Sequence, residues 1–217
     1  GTVQGIDRPA IVSAVPAAHG HTVMLDLGAN PHCAADHLVQ FAVMGAVIAS
    51  DLHGIERPRI GLLNIGEEDI KGTEELKAAH RVLSAAPVNY VGFVEGNVIF
   101  SGGVDVAVTD GFTGNVALKT MEGLARFIGS VMREEFTASP LRKAGALAAT
   151  PALNGIKARL DPSAYNGASM VGLNGVVIKS HGSADRKAFA SAVRVAVTEA
   201  RKGVPAQIVD LMARVNA

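Results

Sequence analysis

Tryptophan is absent from this 217-residue chain, and cysteine occurs once, at Cys33. A single thiol cannot form an intrachain disulfide, so the plain expectation is a reducing, cytoplasmic compartment. Aromatics make up only 4% of the residues, which argues against an aromatic-rich binding face. Net charge is missing too. The 20 Lys and Arg balance 20 Asp and Glu, which removes the general electrostatic case for nucleic acid as a partner. No run of about 18 apolar residues stands out as a bilayer span, and no signal peptide opens the chain. No initiator Met opens it either, so Gly1 is expected to begin a processed, trimmed or partial chain.

What is present is a packed core. Apolar residues reach 48%, with 24 Gly among them and around them. That composition suits helices lying close on a sheet rather than disorder. Four segments repeat one grammar: a short apolar run, a loop of Gly and polar groups, then a helical pattern. The first is Val23–Leu27, the loop Gly28-Ala29-Asn30, and a helix from about Ala35 to Leu52. Arg59–Asn64 follows, with its loop to Gly72 and a helix from about Thr73 to Ser84. A further strand, Asn89–Val94, precedes the third unit: Val104–Val108, the loop Thr109–Gly114, and a helix from about Asn115 to Glu135. The fourth is Gly175–Ile178, the loop Lys179–Ser183, and a helix from about Ala184 to Lys202. Continuous apolar strands alternating with helices predict a parallel sheet covered on both faces. Ligands of such sheets sit beyond the carboxyl ends of the strands, and all four loops are expected there. The stretch from Ser139 to Gly167 breaks the pattern. Pro140 and Pro151 mark the starts of two short helices, read as a hairpin projecting from the sheet.

Each loop carries groups with a chemical and a plainer reading. Asp110 through Asn115 joins a strand to a helix, so its glycines and the helix N-terminus could cradle an anion. Asn115 as an ordinary helix cap serves equally well. Lys71 follows Glu67, Glu68 and Asp69; it could neutralise a phosphate or an oxyanion, or simply balance its neighbours. Asp26 and Asn30 could order the other loops by hydrogen bonding, or cap their own turn. Lys179-Ser180-His181 offers a cation, a hydroxyl and an imidazole able to act as acid, base or donor. Adjacent Ser and His side chains point apart, and no third triad member is identifiable, so Ser180 is not expected to be a nucleophile. His32, Cys33, Asp36 and His37 do not complete a zinc set, and no metal or other cofactor is expected. Cys33 has no visible base to make it a covalent catalyst. The hairpin carries Arg142, Lys143, Lys157 and Arg159 around an apolar body, which suits an acidic partner, an anionic membrane surface, or a solvated helix face.

Several strings occur in order: Gly5-Ile6-Asp7-Arg8-Pro9-Ala10, Leu25 through Asn30, and His37 through Gly45. Further on come Gly61 through Glu67 with Lys71-Gly72, Asp110 through Lys119, and Gly175 through Gly182. This ordered set resembles the bacterial acyl-[acyl-carrier-protein]:phosphate acyltransferase family of phospholipid synthesis, from about Gly5 to Lys202. The resemblance implies a doubly wound, mostly parallel three-layer α/β/α fold, akin to phosphate acetyltransferases and isocitrate dehydrogenases, and a homodimer. It implies one domain over residues 1–217, truncated at its N-terminus, with the 139–167 hairpin projecting from it. The implied activity moves a long-chain acyl group from acyl carrier protein to inorganic phosphate. Lys71, Asp110 and Asn115 match its active-site strings, with His181, Asn30, Ser180 and the glycines 28, 66, 72, 111 and 114 in accompanying roles. The hairpin matches a region linked to membrane contact and carrier-protein docking. The family's N-terminal strings, which should share the cleft, have no counterpart here. Rival readings are a short-chain acyl-CoA:phosphate transferase and a non-catalytic fragment that binds membrane or carrier protein. A nicotinamide dehydrogenase is disfavoured because no Gly-x-Gly-x-x-Gly string follows a strand.

Overall fold

The computed structural model describes residues 1–160, 167–180, 182 and 184–217, with the side chains of 157, 159 and 160 left out. Seven strands form one sheet: β1 (Ala10–Pro16), β2 (His21–Leu25), β3 (Ile60–Leu63), β4 (Tyr90–Val94), β5 (Val106–Val108), β6 (Ala168–Val171) and β7 (Ile178–Lys179). The helices are α1 (Ala35–His53), α2 (Glu74–Ala85), α3 (Val98–Ser101), α4 (Gly111–Thr137), α5 (Pro140–Ala148), α6 (Thr150–Leu160), α7 (Arg186–Lys202) and α8 (Val204–Val215).

Strand order is β4-β3-β5-β2-β1-β6-β7. β4, β3, β5 and β2 pair in parallel, while β1, β6 and β7 each pair antiparallel to the preceding strand. Five of the seven strands therefore share one direction; β1 and β7 oppose it. The periodic pattern of strand, loop and helix predicts the parallel half, but not β1 or β6. β1 joins β2 through a short turn, and β6 follows the helices α4 to α6 rather than one crossover helix, so the repeating grammar carries no mark of them.

Helices cover both faces, which makes three layers. On one face α1 lies at the centre with α2, α7 and α8 around it. By length and apolar content α1 would pass for a membrane-crossing helix, but residues 38–49 are all buried against the sheet and its neighbouring helices. Gly45 allows the close approach, since a Cβ there would press on Val106 and Leu25. The opposite face is covered by α3 and by Ala117, Leu118 and Met121 of α4. At about 1.5 Å per residue, the 27 residues of α4 span roughly 40 Å, far longer than a five-residue strand. Beyond Met121 it leaves the sheet behind, with Leu124, Phe127, Ile128 and Val131 exposed. Ser139 caps α5 through the Arg142 amide, with Pro140 in the first turn, and α5 packs on α4 and α6.

Candidate functional site

Three adjacent parallel strands, β2, β5 and β3, end at one rim, and each releases a loop that a polar side chain ties down, buried for β2 and β3. Behind β2 that side chain is Asp26, which is fully buried. Its Oδ1 accepts from the amides of Ile11 (2.9 Å), Gly28 (3.2 Å) and Ala29 (3.1 Å). Its Oδ2 accepts from the Asn30 amide (2.6 Å) and from Asn30 Nδ2 (2.9 Å). One carboxyl thus closes the 26–30 turn and fixes it to β1. Asn30 extends the network, donating to the Pro9 carbonyl and accepting at its own carbonyl from Gly111 N (2.8 Å) and Cys33 Sγ (3.5 Å). Asp26 thus caps its own turn and also reaches β1, while Asn30 reaches Pro9 and Gly111.

The loop behind β5 turns directly into α4. The helix starts at Gly111, four residues before the expected Asn115, because Asp110 is its cap: Oδ1 accepts from Thr113 N and Oδ2 from Thr113 Oγ1, both at 2.8 Å. Asn115 is therefore not the cap. It lies in the second turn, exposed, beside Gly28. Gly111 and Gly114 serve close packing: a Cβ at Gly111 would meet the Asn30 carbonyl at 2.7 Å, and one at Gly114 would overlap the Asp26 carbonyl. The anion nest expected from this loop is largely filled from within, since Gly111 N goes to Asn30 and Thr113 N to Asp110.

Behind β3, Asn64 plays the part that Asp26 plays behind β2. It accepts from Ile65 N (2.9 Å) and donates to the Lys71 carbonyl (3.2 Å), while Gly72 turns tightly against it with φ +88°. The Lys71 side chain lies across Gly66, and its Nζ meets Glu68 at 2.9 Å. The Lys71 hydrogen bond is the main reason that the Glu68 carboxyl is held below its ordinary range. His80 of α2 ties the same loop from outside, with Nε2 3.8 Å from Asp69 and Nδ1 2.8 Å from the Tyr90 hydroxyl.

Next to these loops an open cleft of about 560 Å³ lies between the start of α1 and the first turn of α2. Arg8, His32, Cys33 and His37 line one side, Glu74 and Glu75 the other. Burial pushes the Cys33 thiol up to about 11, so at neutral pH it is a protonated neighbour of Asn30 rather than a nucleophile. Gln40 of α1 grips Asp7 twice, through its amide and its carboxyl. The Gly5–Ala10 and His37–Gly45 strings, far apart in sequence, thereby meet at the same rim.

The structure thus brings Gly28, Asn30, Asp110, Gly111, Gly114 and Asn115 into contact, and sets Lys71, Gly66 and Gly72 on the adjacent strand end. It does not bring Ser180 there. β7 runs opposite to the parallel strands, so its carboxyl end opens at the other rim, and the expected convergence of four loops becomes three. β1 and β7 run against the other five strands, a reversal that the alternating grammar does not record. His181 lies outside the described residues, as do the side chains of Lys157 and Arg159. Arg142 and Lys143 are exposed on α5, where Arg142 pairs with Glu135. Asn64 and Gln40 are positioning residues that sequence reasoning missed; an Asn at the end of an apolar run is the only signal that pointed to the first.

A family model described as fatty acid synthesis protein matches residues 1–207. A phosphate acyltransferase of Methylococcus capsulatus is 56% identical over 216 residues, covering 100% of this chain and 64% of that protein. Another, of Alcanivorax borkumensis, is 56% identical over 212 residues, covering 97% and 63%. The chain therefore spans somewhat under two thirds of the length of these relatives. Among solved structures, a phosphotransacetylase of Streptococcus pyogenes has TM-score 0.47 at 18% identity, covering 58% of this chain and 44% of that one. The EutD phosphotransacetylase of Staphylococcus aureus has TM-score 0.46 at 14% identity, covering 57% and 44%. Both likenesses are too low to bear on activity. With the family model covering all but its last ten residues and relatives 56% identical along nearly its whole length, the chain belongs to the fatty acid synthesis protein family that includes these phosphate acyltransferases.

Proposed function

We propose that this chain forms the larger part of a cytoplasmic enzyme that transfers a long-chain acyl group from acyl carrier protein to inorganic phosphate. The observation that carries the reading is the coupling of three loops at one rim, with Lys71 on one of them and Asn115 on its neighbour. Phosphate is already an anionic nucleophile, so the site needs no general base to activate it. A phosphate oxygen attacks the thioester carbonyl carbon, the C–S bond breaks, and the carrier's thiolate leaves to take a proton from solvent. The product is acyl phosphate, without an acyl-enzyme. Lys71 and Asn115 hold phosphate against the carbonyl, which converts an encounter between two molecules into a step within one complex. Asp110 orients the loop through Thr113, and His181, the residue after Ser180, is a candidate donor to the oxyanion on the same condition as Ser180 below. The glycines 28, 66, 72, 111 and 114 let the loops pack closely enough to present these groups. Ser180 enters the reading only where a second body, such as a partner in the proposed homodimer, brings the opposite rim to a site.

The exposed hairpin supports docking of the carrier protein and peripheral contact with a membrane. Leu141 and Leu147 are 83% and 77% exposed beside Arg142 and Lys143, a pairing of apolar and cationic groups that suits an acidic or anionic surface.

The test is phosphate-dependent acyl-phosphate formation from acyl carrier protein thioester, trapped as the hydroxamate, by this chain alone and by the whole protein. Lys71→Ala in the whole protein is expected to lower turnover by about 10²–10³-fold, as for the loss of one charge-stabilising donor. Near-normal turnover removes Lys71 from the mechanism. Transfer from acetyl-CoA at the same rate would instead favour a short-chain substrate.

A further inference from the structure

Away from the strand-end loops, toward the end of α1, a cavity of about 340 Å³ lies between β1, β6, α1 and α7. It is lined by a carboxyl that the reaction above does not use. Glu199 of α7 is 2% exposed; Ser169 Oγ donates to its Oε2 at 2.9 Å, and its Oε1 has no hydrogen-bond partner among the described residues. A buried polar atom without a partner costs about 1–3 kcal/mol, and more if charged. That cost needs an explanation which packing alone does not give. The cavity is roughly ten times the ~30 Å³ share of one water, so it admits a molecule of several heavy atoms. Its size sits at the lower end of small-molecule pockets, roughly 300–1,000 Å³.

The walls define what would fit. Val12, Ile48, Leu52 and Val195 supply apolar surface around the buried carboxyl. The exposed Arg194, whose Nη2 donates to Ser191 Oγ at 2.9 Å, also lines it. We propose that this cavity is a ligand site in which Glu199 Oε1 accepts a hydrogen bond from the ammonium or hydroxyl head of a small molecule with a compact aliphatic body. An anionic head is disfavoured at Oε1, because it would face the Glu199 carboxyl there. Burial pushes Glu199 up to about 7, so the group is poised to ionise when a cationic head arrives. The site is separate from the phosphate rim, and its occupant stabilises the fold in proportion to its concentration over Kd.

Three probes of one shape separate the possibilities: isobutylammonium, isobutanol and isobutyrate, each at millimolar concentration with this chain at pH 8. Saturation-transfer NMR and thermal unfolding should report binding of the amine, the alcohol or both, and none of isobutyrate. Amine alone identifies a cationic head, alcohol alone a neutral donor. Glu199→Gln should weaken amine binding at least tenfold, whereas Ser169→Ala, which leaves Oε1 in place, should retain it. In the wild-type chain the ¹³Cδ resonance of Glu199 should titrate near pH 7 and shift its midpoint downward with the amine. Should Glu199→Gln not fold, that midpoint decides the matter for the amine, and isobutanol binding decides it for the alcohol. The proposal is overturned by binding of no probe, by isobutyrate binding as well as the others, or by amine binding that neither Glu199→Gln nor the titration senses.

Discussion

Replacing Asp26 with Asn changes one atom and leaves the shape of the side chain intact, which makes the cost readable from the hydrogen bonds alone. The carboxyl accepts three backbone donors at Oδ1 and two Asn30 donors at Oδ2. An amide can reproduce only one of those oxygens. In its better orientation the carbonyl keeps Ile11, Gly28 and Ala29, while the new NH₂ faces the Asn30 amide and Asn30 Nδ2, two donors that then lose their acceptor. At about 1–3 kcal/mol for each unsatisfied buried donor, the substitution should destabilise the chain by about 2–6 kcal/mol. Asp26→Ala strands all five, and its cost would rival the roughly 5–15 kcal/mol of an ordinary domain's total stability. The assay is equilibrium urea unfolding followed by circular dichroism, with amide exchange measured at Gly28, Asn30 and Gly111. Exchange at Gly111 should quicken as well, because its amide hangs on the Asn30 carbonyl. A loss below about 1 kcal/mol for Asp26→Asn, with exchange at those three amides unchanged, would refute the idea that this carboxyl organises the rim.

Gly114→Ala sets a Cβ onto the Asp26 carbonyl oxygen and should cost about 1–3 kcal/mol or more in urea unfolding. Gly129→Ala, in open space on the same helix, should instead stabilise by up to about 1 kcal/mol, and equal effects at the two positions would show that close packing is not the cause. Glu199 binds its proton more tightly folded than unfolded, about 7 against 4.5, so its contribution to stability falls as pH rises through that window. Glu199→Gln should therefore gain on the wild type by on the order of 3 kcal/mol between pH 4 and pH 8, read from unfolding curves at both; a constant difference would show that the carboxyl is not perturbed. Cys33, raised to about 11 from the ordinary 9.0, should be alkylated by iodoacetamide about a hundredfold more slowly than a free thiol at pH 8, and a rate equal to that of free cysteine would place the side chain in solvent.

The sequence by itself determined the helix-covered parallel half of the sheet, because its information is local. Apolar runs such as Ile60–Leu63 and Val106–Val108 are buried on both sides and need no partner to be recognised. The Thr73 cap starts α2 one residue from the expected position, and Gly54 ends α1. Motif order identified the family and the residues of three loops. What only the tertiary structure decided was anything that joins distant parts of the chain. β1 is a strand because it pairs with β2 and β6, and β6 because it pairs with β1 and β7; the reversal from β6 into β7 carries the Ser180 loop to the far rim. Asp110 rather than Asn115 caps α4, since the helix start is set by packing of Gly111 and Gly114 on the Asp26–Asn30 turn. Asp26 reads as one more turn residue in the sequence, yet it ties together segments 15 residues apart, and Glu199 reads as a solvated helix charge, yet it is buried against Ser169 30 residues away. Hydrogen bonds over such separations leave no periodicity behind; they follow from where the sheet and its helices bring the backbone.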